Sequence, residues 1–198
     1  EWKLLNACDF GVPQLRPRVI LVALKTEYFS HFCWPEEEIN SAPTVGEALY
    51  DLVAKNGWPH AKKWMLQANK IAPTLVGGSK KHGGPDLGPT RAKKAWKELN
   101  VNGHLVHYDS PAQDFVGKEG FEHMPYLSLR MAARIQGFPD SWKFFGKKTH
   151  SYRQIGNAFP PPVAHAIGKE IFRALSFNPD IYTQESQVTE TSKQIDLV

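Results

Sequence analysis

The sequence predicts a mixed α/β chain, and three observations carry that expectation. A β-branched and aliphatic run, Val19-Ile-Leu-Val-Ala-Leu-Lys25, follows a proline-rich turn and has the composition of a strand. Several other segments carry apolar residues at helical spacing, with recognisable starts and stops. Between residues 72 and 89, glycine and proline displace both patterns. With 198 residues, 41% of them hydrophobic, and six Trp, the chain can build one large domain or two small ones. No run of 18 apolar residues occurs, so no membrane-spanning helix and no membrane partner are expected.

Taken in order, residues 1–10 begin as if in the middle of a strand. There is no Met and no signal-peptide layout, as in a piece of a longer protein. Residues 12–25 are expected as a buried strand. Pro43 and Thr44 open a helix, with Thr44 and Glu47 at capping-box spacing. Val45, Ala48, Leu49, Leu52 and Val53 form its apolar stripe and Gly57 its stop, which makes it a scaffold helix. Residues 72–88 hold five Gly together with Lys80 and Lys81. Glycines let a backbone approach a ligand and the lysines add charge, although a flexible surface loop has the same look.

A basic helix is expected over residues 90–99 and a strand over 104–108. His104 and His107, three apart in a strand, face opposite sides, so no metal site is expected. Residues 128–136 form a helix stopped by Gly137 and Pro139. After a loop reaching Tyr152, a last helix covers residues 161–175, its prolines placed where a helix start tolerates them. Val163, Ile167, Ile171 and Leu175 repeat every four residues and predict one apolar face in need of a partner. The polar tail from Ser176 is expected to be disordered.

Charge is distributed unevenly. Residues 1–60 hold 5 Lys or Arg against 8 Asp or Glu, and residues 61–104 hold 9 against 2. Residues 105–175 hold 9 against 6, and the tail 1 against 4. A central basic block is what neutralising phosphates requires, with a solvated Lys-rich helix as the plainer reading. Cys8 and Cys33 are the only cysteines, which argues against a disulfide framework and for a reducing, cytoplasmic setting.

Three blocks carry chemistry. In Gly11-Val-Pro-Gln-Leu-Arg-Pro-Arg-Val19, the alternating Gln14, Arg16 and Arg18 share one face of an extended segment. Two guanidiniums on one face need an anionic or multi-acceptor partner, and no run of acids is matched to them. In the second block, residues 128–142, Arg130 and Arg134 stand four apart on a helix that exits through Gly137-Phe-Pro-Asp140. The third, residues 151–168, contains Gln154-Ile-Gly-Asn-Ala158.

In this order and spacing the blocks resemble the eighth, ninth and tenth motifs of the DNA cytosine-5 methyltransferases. The likeness covers roughly residues 4–58 and 126–172, with that family's variable target-recognition region between them. Thr74-Leu75 is similar to the short Thr-Leu element of that region. The resemblance implies the C-terminal part of a Rossmann-like, S-adenosylmethionine-dependent methyltransferase fold plus a small, loop-rich recognition domain. Residues 1–60 would end the catalytic domain, 61–125 would form the recognition domain, and 126–175 would carry the last two motifs on a helix returning to the catalytic domain.

The same resemblance implies residue roles. Family members flip a cytosine out of double-stranded DNA, attack carbon 6 with a Cys thiolate, and methylate carbon 5. Arg18 matches the arginine on the flipped base, and Arg16 the partner that holds the site, with Gln14 beside them. Asn157 and Ala158 match the pair that reaches S-adenosylmethionine. Thr74, Lys80, Lys81, Arg91, Lys93 and Lys94 are expected on DNA, the lysines of the exposed basic helix on phosphates. Arg130, Arg134, Gly137 and Gly156 are expected to hold the motifs in shape. A prokaryotic or phage origin and a restriction-modification system are implied as well.

The departures matter equally. The family's donor loop, Pro-Cys-Gln nucleophile loop and Glu-Asn-Val motif have no counterpart here, and neither Ala7-Cys-Asp9 nor Phe32-Cys-Trp34 has the nucleophile's setting. The expectation is a chain inactive alone, acting with an N-terminal half on the same polypeptide or another. The competing readings are a stand-alone DNA-binding module and a decayed remnant. Met131 stands where the family has Glu, so Ser128 is expected to lack its capping-box partner.

Overall fold

The computed structural model describes residues 1–37, 42–77 and 85–177. Strands β1 (Trp2–Asn6) and β2 (Pro17–Leu21) pair antiparallel, with Trp2 opposite Leu21 and Leu5 opposite Arg18. A 3-10 turn over Ala7–Phe10 joins them and ends at Gly11, whose φ of 73° is left-handed. The second strand is shorter than expected, and none of its residues is fully buried. Alternation puts Leu5 inside, while Trp2, Leu4, Val19 and Leu21 share the other face and are 57–72% exposed.

Helix α1 (Thr26–Phe29) is one turn long; α2 (Val45–Ala54) is the anticipated capped helix. Thr44 Oγ1 accepts from the Glu47 N–H at 3.2 Å, and Glu47 Oε2 accepts from the Thr44 N–H at 2.8 Å. Val45, Leu49 and Val53 are fully buried. Helix α3 (Ala61–Gln67) packs across α2, a pairing the sequence reading missed because seven residues with two lysines give little periodic signal. The helices meet at Gly46, where a Cβ would lie 2.1 Å from the Met65 carbonyl oxygen. Gly46→Ala is therefore expected to cost about 2 kcal/mol by forcing the helices apart. Urea unfolding checks this, and an unchanged midpoint would contradict the close crossing.

Helix α4 (Thr90–Lys97) follows, then β3 (Val106–His107) and β4 (Leu127–Ser128), paired in parallel over two residues. The strand expected at 104–108 thus shrinks to two residues. Helix α5 (Leu129–Ile135) starts directly from β4. Ser128 does find a capping partner: its Oγ accepts from the Met131 N–H at 3.2 Å, and Met131 Sδ accepts from the Ser128 N–H at 3.4 Å. A buried thioether, a weak acceptor, takes the place of the missing carboxylate.

Residues expected as a loop up to Tyr152 form helix α6 (Lys148–Asn157). Its Thr, His, Ser, Gly and Asn have modest helix propensity, and burial of Tyr152 and Ile155 on one face overrides it. Helix α7 (Pro161–Leu175) buries Val163, Ile167 and Ala174 and leaves Leu175 48% exposed. A four-residue repeat drifts about 40° per step on a helix of 3.6 residues per turn. Leu175 has consequently rotated out of the stripe, and Ala174 replaces it.

One core runs through Leu49, Trp64, Trp96, Met131, Ile135 and Tyr152, so packing is continuous across positions 60 and 125. Among the described residues the chain divides into two compact units: residues 1–21 with 36–165, and residues 22–35 with 166–177. In the second unit His31 stacks on Phe177 with ring centroids 3.5 Å apart, and Arg173 pairs with Glu170 at 2.9 Å. No helix among the described residues is long and apolar enough to cross a membrane.

Candidate functional site

Gln14 and Arg16 lie in the interior, on the extended segment that leads into β2. Gln14 Oε1 accepts from the Leu75 N–H at 2.6 Å and from Arg16 Nη1 at 3.4 Å. Its Nε2 donates to Gln136 Oε1 at 2.6 Å and to the Ile135 carbonyl at 3.3 Å. Gln136 Nε2 donates onward to the Ala158 carbonyl at 2.6 Å. Arg16 Nη1 donates to the Leu75 carbonyl at 2.7 Å, and Nη2 to the carbonyls of Gly156 and Ala158 at 2.8 and 3.1 Å. Two side chains of the first block thus fasten the Thr74–Leu75 segment to the end of α6.

Among the described residues Arg16 has no carboxylate partner; carbonyl dipoles solvate it. Burial, and then the neighbouring charge of Arg18, lower its pKa to about 10, which leaves it protonated near neutral pH. Gln136 was not singled out from the sequence. The only available signal was a polar residue closing a buried helix just before Gly137.

Arg18 behaves differently. It is partly exposed and makes one hydrogen bond among the described residues, from Nη1 to the Pro17 carbonyl at 2.7 Å. Together with Arg16 it lines an open cavity of about 400 Å³. One wall of the cavity is Thr74–Gly77, the other Gly156–Phe159. Thr74 Oγ1 donates to the Leu15 carbonyl, which pins its wall to the first block. Asn157 is exposed at the rim. The first and third blocks and the Thr-Leu element therefore line one cavity, with a guanidinium free to bind, while Gln136 of the second block ties Gln14 to Ala158 behind it.

Arg130 and Arg134 act at the exit of α5. Arg130 donates to the carbonyls of Pro139 and Trp142 at 3.3 and 2.6 Å. Arg134 pairs with Asp140 and, at 2.5 Å, with Asp51 on α2, and it donates to the Ala48 carbonyl at 3.1 Å. The guanidinium holds the Asp51 carboxyl below its ordinary range, and the carboxylates raise the Arg134 pKa. Gly137 adopts φ 86°, and a Cβ there would lie 2.8 Å from the Pro162 ring.

The basic residues separate. Arg91 and Lys94 are exposed on α4. Lys93 was expected to be exposed but is half-buried and pairs with Asp86 at 2.7 Å. It precedes the buried Trp96 by three residues and so shares its inward face. Lys80 and Lys81 lie outside the described residues. Cys8 is buried, and burial together with Asp9 raises its thiol pKa, the opposite of what a nucleophile needs. Cys33 is exposed in the second unit. Neither cysteine lines the cavity.

The family model described as C-5 cytosine-specific DNA methylase matches residues 1–173. The type II methyltransferase M.NaeI of Lentzea aerocolonigenes is 59% identical over 177 residues, covering 89% of this chain and 42% of that protein. The type II methyltransferase M.NgoMIV of Neisseria gonorrhoeae is 50% identical over 178 residues, covering 88% and 54%. The chain spans about half the length of these curated relatives. A solved Escherichia coli prophage-encoded chain, described as a DNA modification methyltransferase, superposes with a TM-score of 0.43 at 20% identity, over 89% of this chain and 60% of that one. C-5 cytosine DNA methyltransferases use S-adenosylmethionine as methyl donor. With the first and third motifs lining one cavity and the family match running from residue 1 to 173, this chain belongs to the C-5 cytosine-specific DNA methylases.

Proposed function

We propose that this chain is the C-terminal portion of a type II DNA cytosine-5 methyltransferase, and that it acts with an N-terminal catalytic half. The observation that carries the reading is the cavity in which Arg18 is left free between the Thr74–Gly77 and Gly156–Phe159 walls. A cavity of a few hundred Å³ suits a small ring system, and a guanidinium at its edge suits the oxygen and nitrogen acceptors of a flipped cytosine.

In the proposed reaction, a thiolate from the N-terminal half adds to carbon 6. Carbon 5 then takes the methyl group, loses its proton to a base, and the thiolate leaves. Arg18 holds the base; Arg16 and Gln14 hold the cavity walls. When bound, S-adenosylmethionine supplies the methyl group. The exposed carboxamide of Asn157 and the backbone at Ala158 fit one polar edge of it, on the open cavity that Gly77 and Gly156 also line. The remaining donor contacts are proposed to come from the N-terminal half.

Arg91 and Lys94, with Lys80 and Lys81, are proposed to neutralise phosphates of double-stranded DNA, each contact contributing about 0.9 to the slope of log affinity against log salt. Residues 61–125 are proposed as the target-recognition region. The exposed face of Trp2, Leu4, Val19 and Leu21 supports an N-terminal partner, because such a patch calls for cover by further structure. The partner would complete a Rossmann-like domain, and its cellular setting would be the cytoplasm. The test is labelled methyl transfer to DNA by this chain alone and by the chain co-produced with an N-terminal half. Transfer is expected only from the pair; activity of the chain alone, or none from the folded pair, overturns the proposal.

A further inference from the structure

Gly77 and Asn157 share a space that holds only one side chain. A Cβ on Gly77 would lie 2.1 Å from Asn157 Oδ1 and 2.7 Å from its Cγ. A Cβ on Gly156 would lie 2.6 Å from both the N and the Cα of Gly77. Backbone freedom is not the reason for glycine at position 77, since it is not among the glycines with positive φ. The requirement is room. Nor can the two segments back away from each other, because Arg16 grips the carbonyls of Leu75 on one and of Gly156 on the other.

We infer that Gly77 is a positioning residue for the methyl-donor contact: the space left beside its Cα lets the Asn157 carboxamide lie at the cavity rim in the orientation that meets a polar ligand. The inference rests on the proposed role of Asn157. A carboxamide offers one acceptor oxygen and two N–H donors in a plane, so its orientation decides what it can bind. An Ala methyl at position 77 would strike the far end of an exposed, flexible side chain, which can turn aside, and the fold would survive. The same methyl at position 156 would strike backbone and separate the walls. Gly77 sits on the wall that continues from the Thr-Leu element, so a residue of the recognition region sets a side chain on the donor side.

The test uses the complete enzyme, this chain with its N-terminal half, and the product analogue S-adenosylhomocysteine as probe. Calorimetry on Gly77→Ala is expected to show about 3- to 10-fold weaker binding of the probe, the range for one lost or misdirected hydrogen bond. Affinity for target DNA should fall less than affinity for the probe. Asn157→Ala should weaken the probe similarly, and the double variant should be no weaker than Asn157→Ala alone. In this chain, the NMR signals of the Asn157 side-chain amide should move in Gly77→Ala. If Gly77→Ala lowers the melting temperature, the double variant should restore it, because removing the carboxamide clears the contested space.

Normal probe binding by Gly77→Ala, additive losses, or an unmoved amide signal would overturn the inference. Normal probe binding by Asn157→Ala would instead sink the donor role of Asn157, whereas a moved amide signal would still assign control of that side chain to Gly77.

Discussion

Replacing Arg16 by Ala is expected to destabilise the chain by about 3 kcal/mol. The buried Leu75 and Gly156 carbonyls would each lose an Arg16 donor, at about 1–3 kcal/mol per group left unsatisfied. Ala158 would keep its bond from Gln136, so its loss is smaller. Part of the cost is offset because a buried cation without a carboxylate no longer has to be desolvated. Arg16→Lys should fare little better, since one ammonium cannot reproduce the planar fork that reaches carbonyls on two segments. Urea titration of the purified variants provides the measurement. A loss below about 1 kcal/mol would mean that the desolvation cost cancels the three bonds, and that Gln14 and Gln136 hold the walls unaided.

Arg18→Ala should do the reverse, with little effect on stability and a large one on chemistry. Its guanidinium makes only a local bond to Pro17 among the described residues, so few folded contacts depend on it. In the complete enzyme, turnover is expected to fall by about 100-fold or more, the usual effect of removing a donor aimed at the reacting group. Duplex affinity should stay within about threefold, because phosphates supply most of it and Arg18 touches none in the proposed arrangement. Parallel losses in turnover and affinity would recast Arg18 as a phosphate contact.

Much of this arrangement was legible in the sequence. The Thr44–Glu47 cap, the scaffold helix behind it, and the order of the three blocks follow from spacing alone, because caps and stripes are local physics. What stayed hidden was tertiary. Helix α6 is held by the burial of Tyr152 and Ile155 against a core that no local window contains. Gln14, Arg16 and Arg18 look equivalent in an alternating segment, yet the first two turn inward to serve backbone carbonyls and only the third reaches the cavity as a free group. Lys93 reads as one basic residue among several until Trp96, one turn on, fixes which face is inside. Gln136 carries only the faint signal of a polar residue closing a buried helix, and Gly77 carries none. Their importance is a matter of what lies 2–3 Å away, in segments distant along the chain.

The central claim is that these residues supply the base-holding and donor-facing side of the site while the nucleophile lies elsewhere. The most direct measurement is covalent trapping by a duplex whose target cytosine carries fluorine at carbon 5, where the missing hydrogen blocks release of the thiolate adduct. The complete enzyme is incubated with this duplex and S-adenosylmethionine, digested, and the DNA-linked peptide is sequenced. The expected adduct is on a cysteine outside residues 1–198, and its yield should collapse in Arg18→Ala. An adduct on Cys8 or Cys33 would place the nucleophile within this chain and contradict the account.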